Sequence, residues 1–98
     1  MILAFQIAHH LERAALRALL RRVRAALAPG GTIAVLDCFR EERPAPAAAL
    51  LGLHYFLTSR SETWERGDFE EELARAGFRR IRWRRVRRIP VQALCVAG

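Results

Sequence analysis

Three histidines, one tyrosine and one aspartate are the residues whose types and placement can do chemistry near neutral pH. His9 and His10 stand side by side directly after an apolar run, Met1 to Ala8, at the carboxyl end of a first expected strand. Asp37 closes a second apolar run, Thr32 to Leu36, and His54 and Tyr55 lie inside a third apolar stretch, Ala47 to Leu57. A neutral imidazole can take the proton from a hydroxyl as its oxygen becomes a nucleophile. A carboxylate near it can orient a substrate or the ring itself. Each residue also has a structural alternative. His9 can be a loop or helix-start residue, Asp37 a helix or turn cap, and His54 and Tyr55 core or boundary residues. The three histidines lack metal-ligand spacing, and no Ser-His-Asp set is evident.

The elements that must hold these groups follow from patterning. Met1 to Ala8, interrupted only by Gln6, fits a strand covered on both faces in a parallel sheet. Leu11 to Leu27 predicts a helix. Leu16, Leu20, Val23 and Leu27 recur at three and four residues, Leu19 widens the stripe, and Arg13, Arg17, Arg21 and Arg24 take the opposite, solvated side. Pro29 presets φ and Gly30 accepts a positive φ, so a type II turn leads into Thr32–Leu36. Ala47 to Leu57 reads as a helix apolar nearly all round, and Thr58 to Arg66 as a polar loop with Trp64 tucked inward. Asp68 is the expected N-cap of the next helix, with Glu71 as capping-box partner, an acidic first turn, and Phe69, Leu73 and Ala76 as its apolar stripe. Gly77 ends that helix as a left-handed C′ residue. Phe78 to Ile89 is an arginine-rich strand in which Ile81 and Trp83 alternate, with a bulge expected near Arg84-Arg85. Pro90 marks a turn or edge, and Val91 to Ala97 is a final strand antiparallel to it. Helix, turn, strand and acid make half of an α/β unit, and such sheets bind ligands beyond the carboxyl ends of their strands.

Taken in order, I-A-H-H-L-E from Ile7 to Glu12, the helix, and L-A-P-G-G-T-I-A-V-L-D from Leu27 to Asp37 resemble the carboxyl-terminal half of a class I S-adenosylmethionine-dependent methyltransferase. Within that superfamily the likeness is to the small-molecule O-methyltransferases. Asp68 to Phe78, D-F-E-E-E-L-A-R-A-G-F, is similar to the family's last helix and its exit into a closing strand pair. The resemblance implies an α/β fold: a partial Rossmann-like sheet of two parallel strands plus an antiparallel carboxyl-terminal pair, with three flanking helices. The implied spatial order is Met1–Ala8, Thr32–Leu36, Val91–Ala97, Phe78–Ile89. It implies His9 as general base toward a substrate hydroxyl, His10 in the place of the acid that often follows it, and His10, Asp37, His54 and Tyr55 around the acceptor. It also implies S-adenosylmethionine as cofactor. The family grips that cofactor with a glycine-rich turn after its first strand and an acid after its second, and neither motif occurs in these 98 residues. The Gly30-Gly31 pair lies between helix and strand, at the wrong end of the strand for such a grip. Residues 1–98 are therefore expected to be one partial domain, acting in methyl transfer to a small-molecule acceptor as a non-autonomous portion. A homodimer or a complementary amino-terminal half chain would complete it, meeting the open apolar edge of the first strand.

Composition narrows the alternatives. At 52% hydrophobic and 28% charged, the chain is globular in composition. A formal charge of +7 suggests an anionic partner, but all seventeen basic residues are arginine and alanine is equally numerous, a compositional bias that weakens the inference. An arginine-rich nucleic-acid module built on Arg79 to Arg88 remains the least favoured reading, behind a non-catalytic remnant or partner-binding subunit. Cys38 and Cys95 are too few for a disulfide framework and point to a reducing, cytoplasmic compartment. No apolar run reaches the roughly 20 residues of a membrane-spanning helix, so no membrane partner is expected.

Overall fold

The computed structural model describes residues 1–41, 46–59, 63–86 and 92–98. In chain order the elements are β1 (Ile2–Phe5), a short 3-10 turn (Ala8–His10), α1 (Arg13–Ala26), β2 (Ile33–Arg40), α2 (Pro46–Ser59), β3 (Trp64–Glu65), α3 (Arg66–Arg75), β4 (Ile81–Arg85) and β5 (Gln92–Ala97). The sheet order is β1-β2-β5-β4, with β3 paired to the far end of β2. β1 runs parallel to β2, while β5 is antiparallel to both β2 and β4. This is the expected spatial order, with the last strand inserted between the second and the fourth.

The connection from α1 to β2 follows from two residue types. Gly31 N–H donates to the Ala28 carbonyl at 2.8 Å, and Gly30 has φ of 77°. That is the turn Pro29-Gly30 predicts. At the end of α3, Gly77 takes φ of 95°, its N–H reaches the Ala74 carbonyl, and Phe78 N–H reaches that of Leu73. The pair of bonds is a Schellman closure, which only a residue tolerant of the left-handed region closes without strain.

One face of the sheet is sealed. Ile33, Val35, Phe39, Cys95 and Ala97 point into a core closed by Leu16, Leu20 and Val23 of α1 and by Phe69, Leu73 and Phe78 of α3 and its exit. The registers put Leu3, Phe5, Ala34, Leu36, Leu94 and Val96 on the other face. There α2 covers the carboxyl end of β2, and Leu3 and Phe5 remain 59% and 52% exposed.

Several local expectations are corrected. The first strand stops at Phe5, because Gln6 takes φ of 54° and turns the chain out of the ladder. β2 does not end before Asp37; it runs on to Arg40, since β5 pairs through Cys38 and β3 pairs with Phe39 and Arg40. Thr58 and Ser59 belong to α2 instead of a loop, and Trp64-Glu65 form a strand. That strand feeds α3 directly, so the helix begins at Arg66 and its N-cap is Glu65, with no side-chain capping bond. Asp68 sits in the first turn of α3 and pairs with Arg13 at 3.3 Å, so it is no cap; Glu70 and Glu71 fall beyond that turn. The ladder from Ile81↔Ala97 to Arg85↔Ala93 is regular, with no bulge at Arg84-Arg85; positions 87–91, including Pro90, lie outside the described residues.

The solvated arginine face of α1 is also corrected in part. Arg17 binds Glu72 through Nε at 2.6 Å and through a second nitrogen at 2.9 Å, and Arg13 adds a bond at 2.7 Å. α3 crosses α1 on that side and brings a buried carboxylate to it. Hydrogen bonding from Arg17, then from Arg13, outweighs the burial cost and holds the Glu72 carboxyl down at about 2.

Candidate functional site

The site forms where β1 ends and β2 continues. Past Phe5, whose partner is Leu36, the next residue of β2 is Asp37, and it has no β1 residue beside it. The turn at Gln6 and the 3-10 turn Ala8–His10 bring the chain back over this position. His9 and Asp37 are both buried, at 5% and 1% exposure.

Asp37 binds His9 twice. One carboxylate oxygen accepts from His9 Nδ1 at 2.8 Å, and the other accepts the His9 backbone N–H at 3.1 Å. The oxygen facing Nδ1 also accepts the Cys38 backbone N–H at 2.7 Å. A buried carboxylate needs such donors to offset its desolvation. While the Nδ1 contact holds, it selects the imidazole tautomer. With the Nδ1 proton given to Asp37, the neutral ring carries its lone pair on Nε2. A neutral imidazole held this way is a proton acceptor at a fixed position.

Two rings pack on His9. Tyr55 of α2 stacks on it with centroids 4.6 Å apart and planes 18° apart, and the His10 ring lies 3.9 Å away, tilted by 42°. The Tyr55 hydroxyl meets Cys38 Sγ at 3.9 Å. Burial raises the Cys38 thiol and the Tyr55 phenol above their ordinary ranges, and it pushes the Cys95 thiol up to about 12. Burial thus holds both cysteines toward the thiol form.

Beside His9 opens a cavity of about 320 Å³. His9, His10, Arg40, Thr63, Trp64 and Glu65 line it, together with the chain leading into α1 and Asp68 of α3. Trp64 donates its indole N–H to the Ala8 carbonyl at 2.9 Å, tying β3 to the turn that carries His9. Arg40 reaches the Thr63 carbonyl at 2.9 Å. Thr63 Oγ1 is buried without a hydrogen-bond partner among the described residues, on the side of Gly52 of α2.

The structure thus gathers His9, His10, Asp37 and Tyr55 into one cluster, and His9 and His10 reach the cavity. His54 lies on the exposed side of α2, its ring 5.9 Å from that of Tyr55. Arg40, Thr63 and Glu65 were not legible as site residues. The signal that marks them is the pairing of Trp64-Glu65 with Phe39-Arg40, a two-residue ladder too short for sequence periodicity to reveal. Among the described residues, no group of three His, Cys, Asp or Glu is arranged for a metal ion, and no helix is long and apolar enough to cross a membrane.

A cofactor of the S-adenosylmethionine class needs a backbone cradle of close-approach glycines after a strand. The positive-φ glycines here are Gly30, ahead of β2, and Gly77, at the end of α3. Both stand at the ends of elements opposite to His9. The residues of this chain therefore do not fit as a cradle for that group.

No family model and no curated protein sequence matches the chain. Solved structures do. Human N-acetylserotonin methyltransferase in complex with S-adenosylmethionine superposes with a TM-score of 0.85 at 20% identity, over 97% of this chain and 28% of that one. The pyocyanin biosynthetic protein PhzM gives 0.79 at 26% identity, and the mitomycin 7-O-methyltransferase MmcR 0.82 at 22%, each over the same two shares. The chain has the fold of the carboxyl-terminal portion of S-adenosylmethionine-dependent O-methyltransferases, and it spans about 28% of the length of these structures.

Proposed function

We propose that this chain is the acceptor-side portion of an S-adenosylmethionine-dependent methyltransferase that methylates a hydroxyl oxygen of a small molecule, with His9 as general base. The observation that carries the reading is the buried Asp37–His9 pair at the edge of the cavity. Asp37 holds the Nδ1 proton, so Nε2 accepts the proton of the acceptor hydroxyl as its oxygen takes up the methyl group. Asp37 keeps the ring in that tautomer and stabilises the imidazolium that results, as a buried carboxylate behind a catalytic histidine does elsewhere. The cavity volume suits a small molecule. His10, in its lining, supplies a polar contact for the acceptor.

The methyl donor is held by a complementary amino-terminal half that carries the glycine-rich turn. Two facts support this: the chain spans about 28% of its structural neighbours, and β1 presents Leu3 and Phe5 beside an edge that pairs with no other described strand. A parallel sheet normally buries such a strand on both faces.

Calorimetric titration of the chain with S-adenosylhomocysteine, alone and then with a complementary amino-terminal half, tests the arrangement. Heat is expected only in the combined sample. In that sample, His9→Gln should lower transfer of labelled methyl to a panel of phenols by about 10²- to 10⁴-fold, the usual contribution of a general base. An unchanged rate in His9→Gln would remove His9 from the chemistry.

A further inference from the structure

His9 is held from two directions by two elements, and Asp37 accounts for only one of them. The bonds from Asp37 to Nδ1 and to the His9 backbone fix one edge of the ring. A ring held at one edge can still turn out of that contact, which frees Nδ1 from Asp37 and swings the opposite nitrogen through an arc. The flat side of the ring is blocked by Tyr55, nearly parallel at 18° and 4.6 Å between centroids. Tyr55 sits on the half-covered inner side of α2 with Leu51 and Gly52, while Leu50, Leu53, Phe56 and Leu57 of the same helix face outward. Its hydroxyl is turned toward Cys38 Sγ on β2. The hydroxyl is engaged at β2, and Tyr55 is not among the residues that line the cavity.

We propose that Tyr55 is a positioning residue, whose ring, stacked on His9, holds the imidazole so that Nδ1 stays on Asp37 and Nε2 stays directed at the acceptor. The inference rests on the reading of His9 as general base, and it makes α2 part of the catalytic apparatus although Tyr55 does not line the cavity. The ring does the work and the hydroxyl does not, so phenylalanine should replace tyrosine and leucine should not. The ionisable groups that face His9 are Asp37 from β2, His10 from the same 3-10 turn and Tyr55 from α2; Cys38 stands behind Tyr55.

Nitrogen NMR of the histidine-labelled chain at pH 8 reads this without any turnover. In the wild type, His9 should show one tautomer, with a protonated Nδ1 and an unprotonated Nε2, and its ring protons should be displaced upfield by the Tyr55 ring. Tyr55→Phe should keep both signatures. Tyr55→Leu should lose them, giving averaged nitrogen shifts. Unchanged His9 nitrogens in Tyr55→Leu would overturn the proposal, and so would their loss in Tyr55→Phe. If leucine unfolds α2, the wild-type ring protons decide: without an upfield displacement there is no stack and the proposal falls. In the reconstituted enzyme, Tyr55→Leu should lower kcat by about three- to tenfold, the factor an aromatic pair carries, with KM unchanged. A single tautomer in a protein whose His9→Gln variant still transfers methyl would leave the positioning intact and remove only the general-base reading.

Discussion

On the side of the sheet that faces α1 and α3, Phe69, Leu73 and Phe78 are sealed against Ile33, Val35 and Cys95, and even the buried carboxylate of α3, Glu72, is matched by two arginines. On the opposite side, α2 shields little beyond the end of β2, and Leu50, Leu53, Phe56 and Leu57 stay 53–72% exposed beside Leu3 and Phe5. The two sides are built from similarly apolar residues, so hydrophobicity does not separate them. What differs is the geometry of the covering helix. α1 and α3 each have a narrow apolar stripe that one sheet face can bury, whereas α2 is apolar around most of its surface and one contact cannot bury it. The first side is a core, and the second has the character of an interface.

The sharpest way to break this comparison is truncation on the sealed side. Phe69→Ala should cost about 3–5 kcal/mol and Leu73→Ala about 2–5 kcal/mol, read as a fall in the urea midpoint. A loss below 1 kcal/mol would mean that the α3 side is no better packed than the α2 side.

Acid provides the next test. Glu72 is held at about 2 in the fold against an ordinary value of 4.5. Its folded-state pKa is depressed, so its contribution is complete above pH 4.5 and fades as pH falls from there toward 2. Glu72→Gln should flatten the dependence of thermal stability on pH within that window and leave the slope above pH 5 unchanged. An unchanged slope between pH 4.5 and 2 would place the acid sensitivity elsewhere.

The smallest effect belongs to the open side. Leu53→Gln and Leu57→Gln, which keep helix propensity, should each change stability by less than about 0.5 kcal/mol. Combined with Leu3→Lys and Phe5→Lys, they should lower concentration-dependent association in sedimentation, toward the 11.2 kDa of one chain. A large loss of stability from the α2 pair would show that this helix is buried in solution.

The sequence determined by itself what depends on neighbours along the chain. Pro29-Gly30 dictates its turn, Gly77 its helix end, and Leu16, Leu20 and Val23 the buried stripe of α1, because each is a matter of backbone preference or of a period shorter than two turns. The strand order was implied by the family resemblance that the ordered motifs carry, and the sheet has that order. Only the tertiary structure decided that Asp37 grips His9 across 28 residues, that Glu72 takes Arg17 across 55, and that Tyr55 lies flat on the imidazole. Those partners meet because β1 stops one residue short of Asp37, because α3 crosses α1, and because α2 lies over the end of β2. Strand ends and helix crossings are set by packing of the whole molecule, and no local spacing carries them.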